Sequence, residues 1–230
     1  MGIGRALLKI FVLLLILVGL AGGSAGVVAL RRKRILQERN RRFFQKNINR
    51  GICEISYAIY QILQDAKEAG VLISFDPNLR KPLWKSMDDA KEKISWGLSQ
   101  CDILKISDDE IEFMTGEKDI KTGVKKLIDE YHIPFICATM GKNGSMAFFD
   151  GHIVEAAPFL RDDTVETTGA GDTFCACLLH DVLEHGINDR KDDDVKKMLT
   201  FANAAASLIT TRKGALRVMP EKGEVEAVIK

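Results

Sequence analysis

Thr167-Thr168-Gly169-Ala170-Gly171-Asp172-Thr173-Phe174 is a glycine-rich turn that opens onto an amphipathic helix. Glycine lets the backbone approach a ligand closely, and the free N–H groups in the first turn of a helix favour an anion. A carboxylate at the mouth of such a turn, here Asp172, can accept a proton from a hydroxyl group, as phosphoryl transfer requires. The same residues are explained equally well as a helix N-terminus in which Asp172 only stabilises the helix dipole.

On both sides of this turn, short apolar runs alternate with stretches of helical periodicity. Buried strands are predicted at 71–75, 103–106 and 134–139, followed by a hairpin of strands 145–149 and 153–156 that turns at Asp150-Gly151. Helices are predicted at about 55–69, 86–100, 108–115, 119–130, 170–185 and 193–212. Alternating helices and strands are typical of an α/β fold in which helices flank a predominantly parallel sheet.

The composition of the 230-residue chain fits one globular domain with an appendage, since 46% of the residues are hydrophobic and 28% are charged. The net charge of +1 is the sum of a strongly basic part and an acidic part. Residues 1–50 carry eleven Lys/Arg and one acid, a balance of +10, which leaves 22 basic and 31 acidic residues, a balance of −9, for residues 51–230. The odd number and wide spacing of the cysteines do not suggest a disulfide framework or a zinc site. They favour buried thiols in a reducing compartment (Cys53, Cys101, Cys137, Cys175, Cys177).

The basic first part predicts a membrane anchor. Residues 10–30 contain no charged residue, and as a helix they would span about 30 Å, the thickness of a bilayer's hydrocarbon core. A cluster beginning Arg31-Arg32-Lys33-Arg34 follows, so the positive-inside rule places the rest of the chain in the cytoplasm. Beside such a span, the cluster is better explained by membrane topology and anionic lipid than by nucleic acid. A cleaved signal peptide is the alternative.

The predicted organisation is therefore a short flank at 1–9, a transmembrane helix at 10–30, a basic linker at 31–52 and an α/β domain at 53–230. The sequence therefore predicts a single-pass membrane protein whose α/β domain faces the cytoplasm.

Five segments of the α/β domain occur in the order that one known family shows. They are Ile-Ser-Phe-Asp-Pro-Asn-Leu-Arg-Lys-Pro-Leu-Trp at 73–84, Lys-Ile-Ser-Asp-Asp-Glu at 105–110, Thr-Met-Gly-Lys-Asn-Gly at 139–144, Glu-Thr-Thr-Gly-Ala-Gly-Asp at 166–172 and Phe-Ala-Asn-Ala-Ala at 201–205. Over residues 55–230 the chain resembles the ribokinase-like, or PfkB, family of sugar kinases, and fructokinases in particular. The resemblance implies a ribokinase-like, Rossmann-like α/β fold and an ATP-dependent sugar kinase with a fructose-like substrate.

The resemblance also implies roles for individual residues. Asp172 is expected to be the catalytic base, with an anion hole formed by Gly169, Ala170 and Gly171. The nucleotide-binding candidates are Thr139, Gly141, Gly144, Asn203 and Lys105. The candidates for contacts with the sugar are Asp76, Asn78 and Arg80, of which Arg80 could equally pair with a nearby carboxylate.

Two carboxylates are candidates for binding ions. Glu110 is expected to help organise Mg²⁺, through water, although Ser107-x-x-Glu110 is also a capping box before an apolar helix. Glu166 stands where the family has an aspartate that helps bind a monovalent cation such as K⁺, and its extra methylene puts cation activation in doubt. Ser107 replaces the family's usual asparagine, which is a milder change.

The family's first half, with its opening strands, small β lid and sugar-gripping segments, has no recognisable counterpart in this sequence. An incomplete sheet exposes an apolar edge, so a homodimer or a partner that completes the sheet is expected. Two alternatives to a sugar kinase remain open. One is a membrane-tethered nucleotide-binding module or an inactive kinase remnant, and the other is a family member with a different acceptor, such as a nucleoside or a sugar acid.

Overall fold

The computed structural model describes residues 57–230, which form two compact units. The first unit contains residues 57–74 and 78–92, and the second contains residues 75–77 and 93–230. The transmembrane helix predicted at 10–30 and the basic linker lie outside the described residues. None of the helices within residues 57–230 has the length and apolar character that crossing a membrane requires.

The first unit contains a helix over residues 57–68 (α1), which buries Ile59 and Leu63. It also contains a short 3₁₀ turn, Lys81–Leu83, with proline in its first turn. Strand β1 (Ser74–Phe75) and helix α2 (Met87–Leu98) begin in the first unit and end in the second. Strand β1 is shorter than the predicted strand at 71–75.

The second unit is built on a sheet whose strand order is β1-β2-β3-β4-β5. The longer strands are β2 (Ile103–Ser107), β3 (Phe135–Thr139), β4 (Ser145–Phe149) and β5 (His152–Ala156). Strands β2 and β3 are parallel, whereas β3 with β4 and β4 with β5 are antiparallel. The sheet is therefore mixed, because the predicted hairpin adds two antiparallel strands beside the parallel pair. Its turn matches the prediction, since Asp150 and Gly151 both have positive φ, at 46° and 78°.

Five helices accompany the sheet in the second unit: α3 (Asp108–Thr115), α4 (Ile120–Tyr131), α5 (Ala170–His185), α6 (Asp192–Ile209) and α7 (Lys222–Ile229). The first four lie within three residues of their predicted bounds. Helix α7 was not predicted, and its Val225 packs with Ala204 and Ala205 of α6.

The core is centred on β2 and β3, whose apolar side chains are at most 1% exposed (Ile103, Leu104, Ile106, Phe135, Ile136, Cys137, Ala138). Continuous apolar strands of this kind need helices over both faces of the sheet, as the alternating sequence pattern predicted. The prediction of buried thiols is confirmed for Cys101, Cys137 and Cys175, whereas Cys177 is half-buried. Cys53 lies outside the described residues.

Candidate active site

The carboxyl ends of β2 and β3 bring several of the candidate residues to one edge of the sheet. The two strands run parallel, and their last residues, Ser107 and Thr139, are paired in register. Helix α3 with Glu110 begins directly after Ser107, and the loop containing Gly141 and Gly144 follows Thr139. Ligands of open α/β sheets bind at this edge, so these candidate residues are expected to form a site here.

Helix α5 begins with the glycine-rich turn. Gly169 is its N-cap residue with φ 85° and ψ −3°, a left-handed conformation that favours glycine. A Cβ at this position would lie 3.4 Å from the Cβ of Ala215, so the turn is also closely packed. Asp172 is the third residue of the helix and is exposed to solvent. The first-turn N–H groups and the exposed carboxylate are the two parts that an anion hole and a base require.

One predicted donor of the anion hole already has an intramolecular acceptor. The N–H of Ala170 donates to the carbonyl of Thr167 at 3.2 Å. A bound anion would compete with this hydrogen bond. The N–H groups of Gly171 and Asp172 are therefore the main candidates for donating hydrogen bonds to the anion.

Lys105 lies beside this turn and forms an ion pair with Asp76. Its Nζ is 3.3 Å from Oδ2 of Asp76, and the two side chains are only 9% and 8% exposed. The same Nζ would lie 3.2 Å from a Cβ on Gly171, so glycine at 171 leaves room for the lysine. Burial by itself lowers the pKa of Lys105, but the charges of Asp76 and Glu110 outweigh it and the net pKa is raised. The lysine is therefore a protonated cation next to the first turn of α5.

Cys175 lies one turn further along α5 and is buried next to the same charges. Burial, and then the negative charge of Asp76, raises the pKa of its thiol to about 12, while the charge of Lys105 acts in the opposite direction. The neutral thiol is a poor nucleophile. The side chain of Cys175 therefore packs in the core next to the turn, which agrees with the prediction of a buried thiol.

Glu110 forms the capping box that the sequence predicted. Its Oε2 accepts hydrogen bonds from the N–H and the hydroxyl of Ser107, at 2.9 and 2.8 Å. The hydroxyl oxygen of Ser107 accepts in turn from the N–H of Glu110 at 3.4 Å. Glu110 is only 6% exposed, so its carboxylate is held in one orientation at the carboxyl edge of the sheet.

The residues present fit Mg²⁺ only as an ion carried by a phosphate-bearing ligand. Across residues 57–230, no three histidine, cysteine, aspartate or glutamate side chains gather closely enough to hold a metal ion. Mg²⁺ often keeps several waters and is bound by one or two carboxylates together with the phosphates of the substrate. A single oriented carboxylate such as Glu110 fits that kind of coordination.

Gly144 and Asn203, both nucleotide-binding candidates, meet at the end of β5. A Cβ on Gly144 would overlap the carbonyl oxygen of Ala156 and lie 3.0 Å from the nitrogen of Pro158. The Nδ2 of Asn203 donates to the carbonyls of Ala156 and Ala157, at 3.3 and 3.0 Å. The amide group of Asn203 therefore holds the chain that Gly144 contacts. A neighbouring nucleotide remains a prediction for both residues, with the adenine predicted near Asn203.

Glu166 connects the segment before α5 to the segment after α6. Its Oε1 accepts a hydrogen bond from the N–H of Gly214 at 2.8 Å, and its own N–H donates to the carbonyl of Thr210 at 3.2 Å. One carboxylate oxygen is thus engaged by the backbone. This contact gives Glu166 a structural role and adds no support to a monovalent-cation site.

Comparison with known proteins identifies the family. The sequence profile of the pfkB family of carbohydrate kinases matches residues 40–222. The chain belongs to this family. Probable fructokinase-2 of Arabidopsis thaliana is 35% identical over 168 residues, which are 73% of this chain and 51% of that protein. Putative fructokinase-8 of the same plant is 34% identical over 167 residues, which are 73% of this chain and 79% of that protein.

A solved structure is similar in fold to this pfkB-family chain. A fructokinase from Vibrio cholerae, solved with fructose, ADP and a calcium ion, has a TM-score of 0.67 and 25% sequence identity, covering 78% of this chain and 56% of that chain. The fold is therefore the ribokinase-like α/β fold, with a mixed sheet flanked by helices. The chain spans about half the length of the Arabidopsis fructokinase-2 that it matches.

The sugar-binding motif predicted from the pfkB resemblance is divided in this structure. Asp76 belongs to the second unit, whereas Asn78 and Arg80 belong to the first. Asn78 has a positive φ of 44°, and Arg80 is exposed. Sequence reasoning missed the pairing of Asp76 with Lys105. A lysine inside the apolar strand Ile103–Ser107 was the available signal, since a buried lysine needs a counter-ion.

Proposed function

We propose that this chain transfers the γ-phosphoryl group of ATP to a hydroxyl group of a sugar, with fructose as the first candidate. The observation that carries the proposal is the first turn of α5, which combines helix N–H groups with an exposed Asp172 carboxylate and lies next to the buried cation Lys105 at Gly171. The similarity to fructokinases supports the choice of substrate.

In the proposed reaction, Asp172 accepts the proton of the attacking sugar hydroxyl. The hydroxyl oxygen then bonds to the γ-phosphorus as the bond from that phosphorus to ADP breaks. The N–H groups at the start of α5 stabilise the charge on the transferred group. Mg²⁺, when bound, neutralises charge on the phosphates, and Glu110 would orient one of its waters. The capping box around Glu110 keeps that carboxylate in place.

A second function is favoured by one observation, namely that the chain spans about half of a fructokinase to which it is similar. A chain with only this part of the fold would act as a nucleotide-binding module, or be an inactive kinase, unless a second copy or another partner completes the sheet. The two functions share the nucleotide site and differ in whether the chain holds a sugar.

The full-length chain, assayed with Mg-ATP, separates these functions. We expect ADP to form with fructose, and not in the absence of sugar or with a nucleoside as acceptor. ATP binding without ADP formation would favour the nucleotide-binding module. A chain that neither binds ATP nor forms ADP would contradict both and indicate an inactive remnant.

We also propose that residues 10–30 anchor the chain in a membrane, with the kinase-like domain in the cytoplasm, because they form an uncharged apolar run followed by a basic cluster. After alkaline carbonate extraction, the full-length chain is expected in the membrane pellet. A variant lacking residues 1–50 is the control and is expected in the supernatant. Release of the full-length chain would contradict the anchor.

A further inference from the structure

The glycine-rich turn at the start of α5 packs against the segment that directly follows α6. This segment, residues 210–215, is called the connector. The N–H of Glu166 donates to the carbonyl of Thr210 at 3.2 Å. A Cβ on Gly169, the N-cap residue of α5, would lie 3.4 Å from the Cβ of Ala215. The connector therefore helps to set the position of the turn that carries the proposed base.

Glu166 is joined to the connector by its side chain as well as by its backbone. Its Oε1 accepts a hydrogen bond from the N–H of Gly214 at 2.8 Å. Hydrogen bonds to a carboxylate are shorter and stronger than those between neutral groups. Gly214 has a φ of 118°, a conformation that residues other than glycine rarely adopt. The link therefore needs both the carboxylate at 166 and the glycine at 214.

A monovalent cation at this position would compete with the N–H of Gly214 for the same carboxylate. The family resemblance implies that the residue at 166 helps bind such a cation. Oε1 of Glu166 already has a donor at hydrogen-bonding distance, and the extra methylene of glutamate lengthens the side chain that reaches the connector. The residues present therefore do not fit a cation site of the family's kind.

We propose that the hydrogen bond between Glu166 and Gly214 takes the place of a monovalent cation in this chain. It joins the turn of α5 to the connector within the protein, and phosphoryl transfer by this chain does not require K⁺. Glu166 is then a positioning residue for the first turn of α5, because it acts through the connector. The role in catalysis rests on the proposed function, whereas the link itself does not.

The first test compares the thermal unfolding of the full-length chain in KCl and in choline chloride at equal ionic strength, with Mg-ATP in both. A cation that binds the folded chain raises the Tm as the cation concentration increases. We expect the two Tm values to agree within about 1 °C, because no specific K⁺ site contributes to stability. A Tm that rises by several degrees with KCl and not with choline chloride would overturn the proposal.

Steady-state kinetics with Mg-ATP and fructose in the same two salts provide the second readout. We expect kcat of the wild-type chain in choline chloride to lie within about twofold of kcat in KCl, since the link is part of the protein. A kcat that depends several-fold on K⁺ would overturn the proposal.

Substitutions of Glu166 test whether the link positions the turn. Glu166→Gln keeps an Oε1 acceptor on a side chain of the same length, so we expect kcat within about threefold of wild type. Glu166→Ala removes the acceptor and is expected to lower kcat at least about tenfold in either salt, with KM for fructose little changed. Wild-type kcat in Glu166→Ala would overturn the positioning role.

Glu166→Asp shortens the side chain and keeps its charge. An aspartate at 166 is expected to lose the hydrogen bond with Gly214 and to leave its carboxylate open to a cation. We therefore expect a low kcat in choline chloride that recovers in part in KCl. A kcat equal to that of wild type without K⁺ would show that the reach of glutamate is not needed, which contradicts the proposal.

Asp119→Ala is the matched control for the loss of a carboxylate hydrogen bond. Oδ1 of Asp119 accepts from the N–H of Thr122 at 2.8 Å, the same distance as in the Glu166 link, at the N-terminus of α4. We expect this variant to have a lower Tm and an unchanged kcat. An equal loss of kcat in Asp119→Ala and Glu166→Ala would assign the loss to stability and overturn the positioning role.

The failure of this proposal and the failure of the proposed function have different signatures. A Tm that responds specifically to K⁺ overturns the replacement of the cation even when fructose is phosphorylated. A wild-type chain that forms no ADP in either salt overturns the proposed function. The link is still supported in that case if the Tm is the same in both salts and Glu166→Ala unfolds at a lower temperature than Glu166→Gln.

Discussion

Asp172→Asn is expected to lower kcat for sugar phosphorylation by about 10²–10⁴-fold while affinity for ATP stays close to that of wild type. Asparagine has nearly the same size as aspartate but cannot accept the proton of the sugar hydroxyl. The substitution leaves the backbone N–H groups of the first turn of α5 in place, so the phosphate contacts persist. The measurement is steady-state kinetics with Mg-ATP and fructose, together with direct titration of ATP binding.

Asp194→Asn is the control for the effect of a charge at a helix N-terminus. Asp194 occupies the same position in α6 that Asp172 occupies in α5, the third residue after the N-cap, and its side chain is also exposed. We expect its loss to leave kcat unchanged. Equal activity of Asp172→Asn and wild type would remove Asp172 from the mechanism, and an equal loss in both variants would indicate a helix-dipole effect.

Gly144→Ala is expected to lower the free energy of unfolding by about 3–5 kcal/mol. Gly144 has φ 87° and ψ −141°, a backbone region that is open almost only to glycine. The added Cβ would also overlap the carbonyl oxygen of Ala156, which Asn203 holds in place. Denaturant unfolding measures the loss, which corresponds to a decrease in Tm of roughly 10 °C.

Gly186→Ala separates the two causes of that loss. Gly186 has a similar backbone conformation, with φ 74° and ψ −171°, but a Cβ there would meet no atom within 4 Å. We therefore expect only the strain, about 1–3 kcal/mol. If the two variants lose the same stability, the contact between Gly144 and Ala156 contributes nothing.

The parts of the fold that depend on neighbouring residues were predictable from the sequence. The bounds of α5 at 170–185 match because its glycine-rich N-terminus and its Gly186 C-cap are local signals. The capping box of Ser107 and Glu110 and the Asp150-Gly151 hairpin turn match for the same reason. Helix α7 was missed because its N-cap residue is Glu221, whereas the equally short α3 begins after a serine, one of the residues that mark a helix N-terminus.

The contacts of the candidate site were less predictable, because they join residues that are far apart in the sequence. Asp76 and Lys105 are 29 residues apart, and Glu166 and Gly214 are 48 apart. A local pattern shows that a buried lysine needs a counter-ion but does not show which carboxylate packs against it. The resemblance assigned Asp76 to the sugar, and the structure adds an ion pair with Lys105 that the sequence did not predict.

The most direct test of the central claim follows the phosphate itself. The full-length chain is incubated with Mg²⁺, fructose and ATP labelled in its γ-phosphate, and the products are separated. We predict that label appears in a fructose phosphate with the wild-type chain and is reduced to background with Asp172→Asn. Label that stays in ATP or appears only as inorganic phosphate with a wild-type chain that binds ATP would contradict a kinase that acts on fructose, and the same result with other sugars would contradict a sugar kinase.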